Sequence, residues 1–227
     1  MRIAVAGVNQ QSANLGYKLA FQLDTIGHDV VGFGSRNFNP DLLTGARALI
    51  VCTGLLRPTV LGEATGQSIE DISEANLARP IEYVNMFAEL AVPWDGFEAN
   101  RRKVILIGSQ AGHKIISNYS AYSAAKAGLE MFAKSAAWDL GPQGVDVFCV
   151  SPSSISRTPG AEAMIKDLQK NEGLGRQEAY EKWSRQSYPE GFAPISPLDV
   201  YAVVIDLLRP SNHSLSGTTL HLSGGAR

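Results

Sequence analysis

Cysteine is scarce in this 227-residue chain, with only Cys52 and Cys149 present. Both sit inside apolar runs, Ala48-Leu49-Ile50-Val51-Cys52 and Val147-Phe148-Cys149-Val150, where a thiol acts as a small buried hydrophobe. They form neither a disulfide framework nor a Cys-x-x-Cys metal spacing. Histidine is nearly as rare. His28, His113, His213 and His221 are scattered without ligand spacing, and the sequence predicts no structural metal. No apolar run approaches the ~20 residues of a membrane span. An excess of one charge is also missing. The net charge of -2 gives a polyanion no electrostatic reason to bind, which disfavours nucleic acid as a partner. There is no internal repeat and no low-complexity tract. The chain opens directly on strand-like Arg2-Ile3-Ala4-Val5-Ala6, without the long apolar stretch of a secretory signal. With reduced thiols, this predicts a cytoplasmic protein.

What is present suits one folded α/β domain over residues 1–227. Hydrophobic residues make up 44% and charged residues 19%, enough to bury a core and to argue against disorder. Continuous apolar runs at 2–6, 29–33, 47–52, 103–108, 145–150 and 218–222 read as parallel strands covered on both faces. Helical patterns fall near 13–26, 68–91, 119–140 and 197–208. This alternation predicts a Rossmann-type, doubly wound parallel sheet of about six strands with helices on both faces. Residues 93–102 read as a polar loop. Residues 157–196 are polar, with Pro and Gly at both ends and a helical middle from Gln177 to Gln186. An insert there predicts a lid, because ligands of such sheets sit at the carboxyl ends of the strands. Its Met164, Tyr180, Trp183, Tyr188 and Phe192 are expected to line an apolar pocket or to pack the lid onto the body.

The segment from Ile107 to Gly128 carries the chemistry. Ser109 stands at the end of a strand, and Tyr122 and Lys126 lie four apart on one helix face. A phenol titrates near 10, and a neighbouring ammonium is expected to lower that value. Such a tyrosine exchanges a proton with a substrate oxygen, which Ser109 can also hydrogen-bond. The small residues of Ser123-Ala124-Ala125-Lys126-Ala127-Gly128 let a backbone or cofactor approach closely.

Gly108-Ser109-Gln110-Ala111-Gly112 and Tyr122-Ser123-Ala124-Ala125-Lys126-Ala127-Gly128 resemble the active-site segments of the short-chain dehydrogenase/reductase family, classical type. The resemblance covers nearly the whole chain. Glu74-Ala75-Asn76-Leu77 looks like the helix segment bearing that family's catalytic Asn, with Asn85 as an alternative. Val150-Ser151-Pro152, followed by Ile155 and Thr158, resembles the loop that holds the nicotinamide amide. Ser216 to Gly225 resembles the closing strand and Gly-Gly turn. The resemblance implies that Tyr122 donates a proton to a carbonyl while Lys126 tunes it and binds the nicotinamide ribose. It likewise implies that Ser109 orients the substrate oxygen and Asn76 supports a proton-relay water. Hydride chemistry belongs to the cofactor.

The family's glycine-rich loop is altered. Gly7 and Gly16 lie nine positions apart instead of six, and Asn14 stands where the middle glycine belongs. Asn tolerates left-handed backbone, so the turn is expected to survive and to set a pyrophosphate against Gly7, Asn14, Leu15 and Gly16. After the second strand comes Ser35-Arg36 in place of an acidic residue. A guanidinium there favours NADP(H) over NAD(H), since it pairs with a 2′-phosphate. Between Arg36 and Ala48 there is room for neither the usual helix nor the third strand, which predicts a shortened sheet edge. Thr53 and Gly54 replace part of the family's Asn-Asn-Ala-Gly as ribose-side contacts, and Pro152-Ser153 replaces Pro-Gly. A carbonyl or alcohol is the expected substrate and a homodimer or homotetramer the expected assembly. One alternative is a degenerate relative that binds NADP(H) as a sensor or structural partner. Another is a nucleotide-sugar epimerase or dehydratase, disfavoured because only seven residues, His221 to Arg227, follow the last-sheet signal at Leu220.

Overall fold

The computed structural model describes residues 1–90, 94–188 and 193–225, with Ser187 described by its backbone only. Pro93, Phe192 and the end of the expected helix at residue 91 lie outside the described residues. Six strands form one parallel sheet: β1 (Arg2–Ala6), β2 (Asp29–Phe33), β3 (Ala48–Val51), β4 (Arg102–Ile107), β5 (Val145–Pro152) and β6 (Thr219–Leu222), in the spatial order β2-β1-β3-β4-β5-β6. Every residue of β3, β4 and β5 is buried, as their continuous apolar runs require.

Successive side chains of a strand point to opposite faces, so each strand feeds two cores. One core takes Ala4, Leu49, Val104, Leu106 and Val147, and covers them with α3 (Arg79–Leu90) and α4 (Ser120–Leu140) through Tyr83, Phe87, Leu129 and Ala133. The other takes Ile3, Val5, Ile50, Ile105 and Phe148. It is covered by α1 (Leu15–Thr25) and α7 (Pro197–Leu207) through Leu19, Leu23, Val200 and Val204. The fold is therefore the expected doubly wound α/β sandwich.

The edge beside β2 is short. A single 3-10 turn, Pro40–Leu43, bridges β2 to β3, and Phe33, Phe38 and Tyr83 close the space with ring centroids 4.7–5.4 Å apart. Chain order reverses across β1, whose neighbours are β2 and β3. A crevice opens at such a switch point, outside the carboxyl ends of the strands.

Two helical features differ from expectation. The single helix anticipated over 68–91 is α2 (Gly66–Ser73), a π-helical turn (Glu74–Ala78) and α3 in succession. Pro80 explains the interruption, because it has no N–H and its ring crowds the carbonyl of Asn76 four residues back. The wider turn relieves that clash. The insert at 157–196 holds two helices, α5 (Pro159–Glu172) and α6 (Arg176–Ser187), where only the second was expected.

Candidate active site

The crevice begins at the glycine-rich loop. Gly7 adopts φ +85° and has Cys52 and Thr53 backbone within 2.8 Å of where a Cβ would stand. A Cβ on Gly16 would lie 2.6 Å from the Gly7 carbonyl oxygen. Both positions therefore admit only glycine, and α1 packs directly on the end of β1. Asn14 does not take the left-handed conformation expected of it. Its φ is -66°, and Ala13 carries the positive φ, +44°. Asn14 instead caps α1: Oδ1 accepts from the Tyr17 N–H at 3.0 Å, while Nδ2 donates to the Gly7 carbonyl at 2.7 Å. The side chain thus ties loop to strand, where the middle glycine of the family's loop would leave space.

At the end of β4, Ser109 starts a 3-10 turn and accepts from the Ala111 N–H at 3.2 Å. Its side chain also hydrogen-bonds Tyr122. Tyr122 and Lys126 occupy consecutive turns of one face of α4, with Lys126 Nζ 5.8 Å from the Tyr122 ring centroid. Nζ donates to the Ile107 carbonyl at 3.0 Å. Burial lowers the Lys126 ammonium to about 8, against smaller opposing effects from Cys149 and Cys52. For Tyr122, burial raises the phenol above its usual value, and the Ser109 hydrogen bond opposes this. Contrary to the expectation that Lys126 sets the phenol low, burial sets the direction, and Tyr122 is held protonated at neutral pH. Neither thiol competes as a nucleophile, since burial pushes Cys52 up to about 12 and Cys149 to about 11.

These groups open into a cavity of about 570 Å³ lined also by Asn14, Leu15, Thr53, Gly54, Pro152, Ser153, Ile155 and Thr158. Its far end is apolar, with Leu56, Ile116, Met164 and Trp183. A second cavity, of about 650 Å³, shares Asn14, Thr53 and Gly54 with the first and extends past Gly7 to Ser35 and Arg36. Together they make a long cleft over the ends of β1 to β5. Arg36 is exposed and, among the described residues, its guanidinium makes no ion pair or hydrogen bond.

Two predicted residues lie behind the cleft and do not line it. Gly16 is the packing contact just described. Asn76 is fully buried within the π turn, and its Nδ2 donates to the carbonyls of Leu55 at 2.9 Å and Ile72 at 2.8 Å. Its Oδ1 accepts from the Leu55 N–H at 3.3 Å. A Cβ on Gly54 would approach Asn76 Oδ1 to 3.0 Å and Lys126 Nζ to 3.7 Å, so this amide braces the loop beside the lysine. Asn85 points elsewhere and pairs with Glu89.

Sequence reading missed Arg79, which reaches the second cavity while paired to Glu74 and Glu82. It also missed the anchoring role of Tyr188, whose hydroxyl hydrogen-bonds Ser153 and donates to the Ser154 carbonyl at 3.0 Å. No local pattern could signal a contact across the insert. Trp183 and Tyr180 pack within the insert's own core, on Ile165 and Ala179, and Trp183 and Met164 also face the cavity.

The cleft fits a dinucleotide by two observations. Thr53 Oγ1 is buried without a partner among the described residues. A free guanidinium stands at the far end. A family model described as enoyl-(acyl carrier protein) reductase matches residues 48–227. Cyclohexanol dehydrogenase of Rhodococcus sp. (strain TK6) is 39% identical over 99 residues, 41% of this chain and 36% of that one. L-xylulose reductase of Caenorhabditis elegans is 25% identical over 177 residues, 78% and 64% of the two chains. The chain thus matches less than two thirds of the length of these curated relatives. Among solved structures, an actinorhodin polyketide ketoreductase variant with NADPH superposes with a TM-score of 0.81 at 17% identity, covering 99% of this chain and 96% of that one. Sorbitol-6-phosphate 2-dehydrogenase from Erwinia amylovora gives 0.82 at 18% identity, with 99% and 98% covered. The match over residues 48–227 includes the Ser109, Tyr122 and Lys126 segments, and by it the chain belongs to the short-chain dehydrogenase/reductase family.

Proposed function

We propose that this protein is an NADP(H)-dependent oxidoreductase that interconverts a small carbonyl compound and its alcohol. The observation that carries this reading is the convergence of Ser109, Tyr122 and Lys126 in one cleft with a free Arg36 guanidinium at its other end. Members of the family use a nicotinamide cofactor, which when bound supplies or accepts the hydride.

The chain's own residues do the rest. Tyr122, held protonated by burial, hands its phenolic proton to the substrate oxygen. Ser109 hydrogen-bonds the same oxygen and fixes its orientation. Lys126 lies next to the phenol and reaches toward the ribose side of the cleft at Thr53 and Gly54. Asn76 keeps that loop in place from behind the cleft. Gly7, Asn14 and Leu15 receive the pyrophosphate, with Gly16 packed behind them, while Ser35 and Arg36 receive the 2′-phosphate. Pro152, Ser153, Ile155 and Thr158 hold the nicotinamide end.

The apolar wall of Leu56, Ile116, Met164 and Trp183 favours a substrate with a hydrocarbon face. Relatives named for cyclohexanol and L-xylulose support an alcohol–carbonyl couple. We assign the 157–196 insert the role of lid. The two free thiols fit a cytoplasmic location. No helix among the described residues is long and apolar enough to cross a membrane. Exposed Trp138 and Met131 on α4 fit association in a homodimer or homotetramer.

The test pairs a titration of NADPH against NADH with a carbonyl and alcohol panel, run on wild type and Tyr122→Phe. The expected result is NADPH-dependent reduction that falls at least a thousandfold in the variant, with NADPH binding nearly intact. NADPH binding without turnover on any panel member would instead support the binding-only reading that the altered glycine loop suggests.

A further inference from the structure

One turn further along α4 than Lys126, three elements bring together His113, Glu130 and His221. His113 follows the 3-10 turn that Ser109 begins, Glu130 lies one turn beyond Lys126 on α4, and His221 belongs to β6. Their ligand-capable atoms all lie within 4.8 Å of one another. His113 Nδ1 stands 3.5 Å from Glu130 Oε1, and the two imidazoles meet edge to face with centroids 4.0 Å apart.

We propose that His113, Glu130 and His221 form a binding site for one divalent cation of the zinc class. Two atoms bound to one zinc at tetrahedral angles stand roughly 3.3 Å apart, so the His113–Glu130 pair already has the required spacing. Modest side-chain rotation brings in His221. Two imidazoles and one carboxylate suit zinc, cobalt or nickel, whereas magnesium and calcium take all-oxygen shells. Glu130 has the outer support that ligating carboxylates use: Ser151 Oγ, itself buried, donates to Oε1 at 2.5 Å. The remaining positions of the cation face solvent, since both histidines are exposed. Spacing in the sequence could not signal this site, because each ligand comes from a different element.

The consequence is a brace. A cation here would tie the loop after Ser109 to the helix bearing Tyr122 and Lys126 and to the last strand. It would add stability without touching substrate, and it stands whether or not the hydride chemistry proposed above is correct.

Calorimetric titration of the purified full chain with Zn2+ alone, in a buffer that does not chelate, tests it. The expected result is one Zn2+ per chain, with affinity at least tenfold weaker in His113→Ala and in His221→Ala and unchanged in His28→Ala. Far-UV circular dichroism checks that the variants fold. Zn2+ at a hundredfold excess over Kd should raise Tm by about 5 °C, and Mg2+ should leave it unchanged. Co2+ should give a visible absorption band in the wild type. Absence of Zn2+ binding and of the Co2+ band in the wild type, or binding unaltered in the double histidine variant, overturns the proposal.

Discussion

At the scale of single residues, Lys126 is the costliest group in the site. The residue is 3% exposed and, among the described residues, its ammonium has no carboxylate partner and donates to the Ile107 carbonyl. Its pKa falls from 10.5 to about 8 on folding. Below pH 8 both folded and unfolded chains carry the charge, and the cost of burying it is present in full. Between 8 and 10.5 the folded chain has released its proton while the unfolded chain keeps it, so stability rises with pH. Above 10.5 both forms are neutral. Lys126→Met should therefore be more stable than the cofactor-free wild type at pH 7, by about 3 kcal/mol, while losing turnover. Urea melts at pH 7 and pH 10 should show that gap closing, and a gap independent of pH would refute the argument. Arg36 belongs to the same scale but to binding. Arg36→Ala should weaken NADPH about ten- to a hundredfold and leave NADH unchanged, as read by fluorescence titration. Ser109, Tyr122 and Lys126 could be found from sequence because strand end and helical spacing are local properties. The direction of the Tyr122 shift could not, since burial depends on everything packed around it.

At the scale of elements, the π turn shows how one residue places another. Pro80 opens the helix, and Asn76 uses the widened turn to hold Leu55 and Ile72 through its amide. Asn76→Ala removes three hydrogen bonds and leaves buried backbone groups unpaired, which should cost about 2–4 kcal/mol. Equilibrium urea unfolding measures it, and a loss below 1 kcal/mol would mean that water replaces the amide. The π turn was not legible from hydrophobic periodicity, which a single inserted residue barely disturbs, although Pro80 marked the place. Helix α5 was legible and missed. Thr158 caps it, Pro159 occupies its first turn and Gly173 ends it in left-handed backbone, the usual start and stop chemistry. Its polar composition hid it, because α5 packs mainly on α6 and buries only a narrow stripe around Ala161 and Ile165.

At the scale of the whole molecule, the two ends of the sheet divide the work. The carboxyl ends hold the cleft. The amino ends hold Asp146, fully buried between Arg101 Nε at 2.7 Å and Lys103 Nζ at 2.6 Å. Asp146→Asn leaves two nearly buried cations without their counter-charge. It should cost about 3–5 kcal/mol in urea unfolding while leaving the Michaelis constants of the folded fraction unchanged. A change in cofactor affinity would show that the two ends are coupled. The sequence by itself determined the sheet, because parallel strands buried on both faces must be continuous apolar runs. It determined the shortened edge by simple lack of residues between β2 and β3. It also determined that Ser109, Tyr122 and Lys126 come together, since they are joined by one strand end and one helix. Only the tertiary structure decided that Ala13 and not Asn14 takes the strained backbone. The same holds for Asn76 acting as a brace, for Tyr188 anchoring the loop at Ser153, and for two distant histidines meeting Glu130. Each of these depends on contacts between segments remote in the chain, and local pattern carries no record of which remote segments will touch.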